Sequence, residues 1–173
     1  MRRDAGLTLV ELLVTMSVAA VLLGIGVPAF GSLVQDTRLT TTTNRLVAAL
    51  HATRSEAVRH NARATLCKSD DGVYCTEDGG WEQGWIVFLD TGGDALRGDT
   101  DPLLAAGDPA MDGITISGNT PVQRYVSYVG LGATRQVSGA LQMGTITVCA
   151  GEDGRQIVIS RTGRIRVQQG GCA

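Results

Sequence analysis

Residues 12–30 carry no charge, and the only charge in the apolar block that begins at Leu7 is Glu11. A block of that length suits a bilayer crossing. An unpaired carboxylate in lipid costs on the order of several kcal/mol, which marks Glu11 as functional and in need of a partner. A short hydrophilic leader, Met1-Arg2-Arg3-Asp4-Ala5-Gly6, comes first. A secretory signal peptide would place its small-residue cut site after the apolar stretch, with an h-region of only about 7–15 residues. Here the small residue precedes the stretch, and the stretch is longer. A plain single-span anchor fits the length. It leaves Glu11 and the order Gly6-Leu7-Thr8-Leu9-Val10-Glu11 unexplained.

That order resembles the type IV prepilin signal. The resemblance implies cleavage by the prepilin peptidase after Gly6 and a mature chain that starts at Leu7. Glu11 would then register one subunit against the next through the neighbour's N-terminal amine. The resemblance also implies bacterial inner-membrane insertion and later assembly with other major and minor pilins. The corresponding segments are a leader (1–6), a transmembrane or filament-core helix (7–30) and a periplasmic globular domain (31–173).

Gly24, Gly26 and Pro28 should weaken or kink the first helix. Beyond a polar stretch, Thr43, Leu46, Val47, Leu50, Arg54, Ala57 and Val58 fall on one helical stripe, with Arg54 a polar exception. The helix is predicted to end near His60-Asn61. The rest reads as short strands between turns, at 63–67, 85–89, 114–116, 125–129, 144–149, 156–160 and 164–167. One long helix followed by strands predicts an α+β fold, with the helix packed on antiparallel β-sheet. Aromatics are only 4% of the chain, so the core must rest on Val, Ile, Leu and Ala.

The resemblance extends past the signal. Thr53-Arg54-Ser55-Glu56-Ala57-Val58 with Asn61 looks like the helix end of the H-type pseudopilins, the GspH/FimT group. Trp81-Glu82-Gln83-Gly84-Trp85-Ile86-Val87-Phe88 followed by Asp90 is similar to that group's central strand. Thr162-Gly163-Arg164-Ile165-Arg166 resembles its Gly-Arg-x-Arg element. The type IV pilin-like fold follows from this likeness, and the stretch between Asp99 and Ala140 matches least.

Four cysteines follow the apolar block: Cys67, Cys75, Cys149 and Cys172. An even number beyond a membrane segment points to an oxidising compartment and two disulfides. Three pairings are possible. Cys67–Cys75 would close a short loop, and Cys149–Cys172 would tie down a Gly-rich tail. A four-thiolate zinc site would want paired short spacings, which this sequence lacks.

A net charge of −2 conceals an uneven distribution: residues 70–112 hold eleven acids and one arginine, whereas 155–173 hold four arginines and no acid. Thr162-Gly163 separates two β-rich runs, a two-residue hairpin signal. In such a hairpin Arg161 and Arg164 form a cross-strand pair, and like charges so placed need compensation. Arg164 and Arg166 share a face, which turns Ile165 and Val167 to the core. Guanidinium forks match phosphate oxygens. In the FimT branch the Gly-Arg-x-Arg element is associated with DNA binding in natural transformation, so the resemblance implicates Arg164 and Arg166, with Arg161 beside them. The alternative is a solvated strand face whose arginines meet acids on this or a neighbouring subunit. That would suit a structural or priming pilin for assembly, twitching or adhesion, or a type II secretion pseudopilin.

Asp90-Thr91-Gly92-Gly93-Asp94, with Asp99 and Asp101, offers oxygens beside a glycine turn but lacks EF-hand spacing, and no metal is assigned. His51 and His60 are the only histidines, and no nucleophile elbow, phosphate loop or dinucleotide fingerprint occurs. The chain is read as non-enzymatic, with no catalytic residue and no cofactor.

Overall fold

The computed structural model describes residues 8–172 and, within the long helix, the side chains of all but residues 25–29. Two units are distinct, one ending at Thr37 and the other beginning at Arg38. Helix α1 (Leu9–His60) runs through the first and enters the second.

In the first unit, Thr8 stands just ahead of α1, and its hydroxyl accepts the Glu11 amide at 3.3 Å. Such an N-cap bond satisfies a backbone donor that the first turn leaves free. Glu11 therefore lies in the first turn, where the positive end of the helix dipole favours an acid. Helix α1 is continuous from Leu9 to His60, through Gly24, Gly26 and Pro28. Apolar side chains of this unit are exposed, from Leu9 at 77% to Phe30 at 69% and Leu33 at 61%. Among the described residues no helix is long and apolar enough to cross a membrane. The junction between Gly6 and Leu7 lies outside the described residues.

In the second unit, α1 buries Leu39, Leu46, Leu50 and Ala57 together with Thr42, Thr43 and Thr53. Val58 departs from the expected stripe and is 52% exposed, because it sits about 100° around the helix from Ala57. The chain turns out of the helix at Asn61, which takes a left-handed φ of 47°. Asparagine tolerates that conformation better than most residues.

The strands form two antiparallel four-stranded sheets. The first orders β3 (Leu103–Gly107), β2 (Trp85–Leu89), β1 (Ala64–Lys68) and β5 (Tyr125–Tyr128). The second orders β4 (Ile114–Gly118), β6 (Gly144–Ala150), β7 (Asp153–Ile159) and β8 (Ile165–Gly171). One core joins the α1 residues to Leu66, Val87 and Val126 of the first sheet and to Ile116, Ile146, Val148, Ile157 and Ile159 of the second. Along β6, Ile146, Val148 and Ala150 are buried, so Thr145, Thr147 and Cys149 turn to the other face.

Cysteines pair as Cys67–Cys75, with Cα atoms 5.7 Å apart, and Cys149–Cys172, at 5.9 Å. The acidic turn after β2 is organised by its own carboxylates. Asp90 is buried and accepts the Gly93 and Ala95 amides and the Thr65 hydroxyl. Asp101 accepts the Thr91 amide and hydroxyl and the Gly98 amide. These carboxylates are spent on closing their loop. Lys68 is also buried, and its ammonium donates to the carbonyls of Glu77, Asp78 and Gly79.

Candidate nucleic-acid interface

The hairpin that joins β7 to β8 differs in one respect from the two-residue turn read from the sequence. Ile159 pairs with Ile165, and Ser160 N donates to the Arg164 carbonyl at 3.0 Å. The loop is therefore Arg161-Thr162-Gly163, three residues long. Gly163 N returns to the Ser160 carbonyl at 2.8 Å, and Gly163 has φ 75°. A tight turn closed by a left-handed glycine is the usual three-residue solution. Arg161 thus lies in the loop, and Ser160 is the residue opposite Arg164. The like-charge pair is not formed, and no compensation is required.

Ser160 holds the tip together. Its hydroxyl accepts the Arg164 amide at 3.2 Å and lies 2.9 Å from the Thr162 hydroxyl. The tip is also docked on the domain. The Thr134 hydroxyl lies 2.6 Å from the Gln142 carbonyl and 3.0 Å from the Ser160 carbonyl, so its one proton is shared between them. Arg54 donates from Nη1 to the Gly163 carbonyl at 3.0 Å and from Nη2 to the Thr162 carbonyl at 3.3 Å. This accounts for the one charged residue on that helix stripe.

Gly163 is buried, and a Cβ there would come within 2.2 Å of the Gly132 carbonyl oxygen and 2.9 Å of Tyr128 Cε1. Both its conformation and its surroundings demand glycine. Tyr128 is itself fully buried, and burial pushes its hydroxyl pKa well above the ordinary range, with the Arg54 charge acting in the opposite direction.

Arg161, Arg164 and Arg166 are all exposed on this fixed tip. None of their guanidinium groups makes an ion pair or hydrogen bond among the described residues. Other arginines are engaged. Arg45 pairs with Asp108 and lies over Trp85, Arg59 pairs with Glu56, and Arg124 pairs with Glu77. Arg166 stands opposite Val158, and Ile165, opposite Ile159, packs on the core as read from the sequence. Val167, expected in the core, is 47% exposed, since β8 is the outermost strand of its sheet. Among the described residues no group of His, Cys, Asp or Glu could hold a metal ion.

Sequence comparison matches residues 42–163 to the family model for type II transport protein GspH and residues 1–27 to the prokaryotic N-terminal methylation motif. No curated protein matches the chain. The fold is similar to that of the Pseudomonas aeruginosa type IV minor pilin FimU in two crystal forms. The P65 form has a TM-score of 0.55 and 20% identity over 75% of this chain and 92% of that one. The P21 form has a TM-score of 0.59 and 19% identity over 79% and 92%. The minor pseudopilin EpsH of the Vibrio cholerae type 2 secretion system is also similar, with a TM-score of 0.50 and 8% identity over 76% and 97%. At these identities the likeness is one of fold.

Proposed function

The chain belongs to the GspH family of type II transport proteins, and from that premise we propose that it is a minor type IV pilin that captures DNA for natural transformation. The observation that carries this reading is the set of three guanidinium groups, unpaired among the described residues, on a tip whose backbone is held by Arg54, Thr134 and Gly163. A preorganised cluster of forks suits phosphate, and phosphate contact is indifferent to base sequence. Three arginines per subunit give weak binding, so several copies along a filament supply avidity.

The N-terminal segment supports assembly. The methylation motif and the Gly6–Leu7 junction favour cleavage by prepilin peptidase, insertion of 7–30 in the inner membrane and registry through Glu11. The exposed apolar surface of the first unit is what lipid or neighbouring pilins would cover.

A second reading is a structural or priming subunit of a pilus or of a type II secretion pseudopilus. The exposed acids Asp70, Asp71, Glu77 and Asp78 favour it, because a neighbour's acids of this kind could meet the arginine tip. A gel shift of full-length protein in detergent, wild type against Arg164→Gln/Arg166→Gln, separates the two. DNA capture predicts a shifted band that the double variant loses. A band unchanged by the double variant, or none with wild type, favours the structural subunit.

A further inference from the structure

Beside the arginine tip, the outer face of the second sheet carries a feature that duplex capture does not use. Thr145, Val158 and Arg166 stand in one row across β6, β7 and β8, with Thr145 registered on Val158 and Val158 on Arg166. Directly opposed residues share a face. Ile157 and Ile159 belong to the core, so this row lies on the outer side. A shallow groove of about 500 Å³ opens there, lined by Met143, Gly144, Thr145, Val158, Ile159, Ser160 and Arg161. Met143 is 46% exposed. The groove thus has an apolar shelf of methionine and valine, with Arg161 in its lining and Arg166 next to Val158 in register.

The next row on this face is Thr147, Gln156 and Gln168, and Gln168 Nε2 donates to Gln156 Oε1 at 2.9 Å. No carboxylate occupies an outward position of β6, β7 or β8. Glu152 and Asp153 lie at the opposite end of the β6–β7 hairpin from the arginine tip.

We infer that the ligand of this face is single-stranded DNA, with phosphates held by the arginines and an unpaired base laid on the Met143–Val158 shelf. The inference rests on the DNA-capture reading above and narrows its ligand. In a duplex the base faces are stacked out of reach, and the arginines alone would serve. A single strand alternates phosphates with free base faces, and single-strand sites pair a cationic groove with side chains, commonly aromatic, on which bases lie; here a methionine and a valine take the place of the aromatic rings. The methionine thioether is polarisable and makes favourable contacts with aromatic rings. Acids, which would repel phosphates, are absent from the outward positions of the three strands.

The test is fluorescence anisotropy of the full-length protein in detergent against three ligands of equal length: a single strand, an abasic single strand and a duplex. The single strand is expected to bind more tightly than the abasic strand by roughly 2- to 10-fold, the range of a thioether–ring contact. Met143→Gln with Val158→Thr should erase that margin while leaving duplex affinity and Tm unchanged. Equal wild-type affinities for the single and abasic strands overturn the inference. So does a shelf variant that weakens all three ligands alike. Neither result touches the arginine reading, whose own signature is that Arg164→Gln/Arg166→Gln weakens all three ligands. Wild type that binds none of them removes both.

Discussion

Arg54 in the helix and Gly163 in the last hairpin are 109 residues apart in sequence and joined by a 3.0 Å hydrogen bond. A second bond from the same guanidinium reaches the Thr162 carbonyl. The helix side chain therefore fixes the backbone of a tip that it does not resemble in sequence or role. We predict that Arg54→Met weakens DNA binding without removing any group that touches DNA. Two carbonyls would lose a charged donor, a cost of about 1–3 kcal/mol in stability. Arg54→Lys should restore only part of the effect, since a single ammonium cannot reproduce the fork. Thermal melts and DNA titration of the two variants check this. Wild-type affinity in a destabilised but folded Arg54→Met would separate the tip's geometry from binding.

Gly163→Ala should be far more damaging than a glycine substitution of the same backbone class elsewhere. Gly139 also has positive φ, at 83°, but a Cβ there meets nothing within 4 Å. Gly139→Ala should cost only the left-handed penalty, about 1–2 kcal/mol. Gly163→Ala adds a clash with the Gly132 backbone oxygen, which cannot swing away as a side chain could. Urea titrations of the two variants should show the larger loss at Gly163. Equal losses would mean that the tip is not docked.

Acid should loosen the loop after β2. Burial alone would raise the Asp101 pKa, yet donation from the Thr91 hydroxyl and the Gly98 and Thr91 amides holds it below the usual carboxylate value. A lowered folded-state pKa contributes stability that is present above the unfolded value, about 3.9, and is lost as pH falls through the folded one. Wild-type Tm should thus fall as pH drops below about 4. Asp101→Asn should be less stable at neutral pH and show a flatter decline in acid. Parallel acid profiles for the two proteins would refute Asp101's part in it.

What the sequence made legible was periodic or punctuated. The strand at 85–89 reads as an unbroken apolar run because it is covered on both faces, and its bounds match β2. The alternation of β6 marks a sheet with one buried side. Residues 103–107 escaped notice because Leu-Leu-Ala-Ala-Gly has neither alternation nor β-branching. They become β3 only because the edge of β2 offers a ladder. At the arginine hairpin, composition revealed the turn but not its length. One extra loop residue moved Arg161 off the strand, a difference set by the hydroxyl of Ser160 and the seat at Gly132. The role of Arg54 was hidden for a related reason: its partners are backbone carbonyls, which have no sequence signature.

Glu11→Ala is predicted to leave the melting of the second unit unchanged while reducing incorporation into filaments. The carboxylate sits in the first turn of α1, outside the core built from Arg38 onward. Replacing Gly6 by a bulky residue should block maturation upstream of that step. N-terminal sequencing of assembled protein should begin at Leu7. A start at Met1, or normal incorporation of Glu11→Ala, would count against processing or registry respectively.

Salt provides the sharpest measure of the tip. Neutralising Z phosphates makes the log of affinity fall with the log of salt at a slope of about −0.9Z on duplex DNA. Arg161, Arg164 and Arg166 therefore predict a slope no steeper than about −3 and little preference among duplexes of equal length. Arg164→Gln with Arg166→Gln should weaken binding uniformly across sequences and flatten the slope toward about −1. The fold should survive, since both side chains are exposed and unpaired among the described residues. Single replacements by lysine should keep most of the slope, because it counts charges, while losing affinity to the missing fork. A wild-type slope much steeper than about −3 would recruit further cations, with half-buried Arg135 the first to test because its guanidinium makes no ion pair or hydrogen bond among the described residues. A double variant whose slope and affinity equal those of wild type would move DNA binding off the hairpin and leave the structural subunit as the better account of this chain.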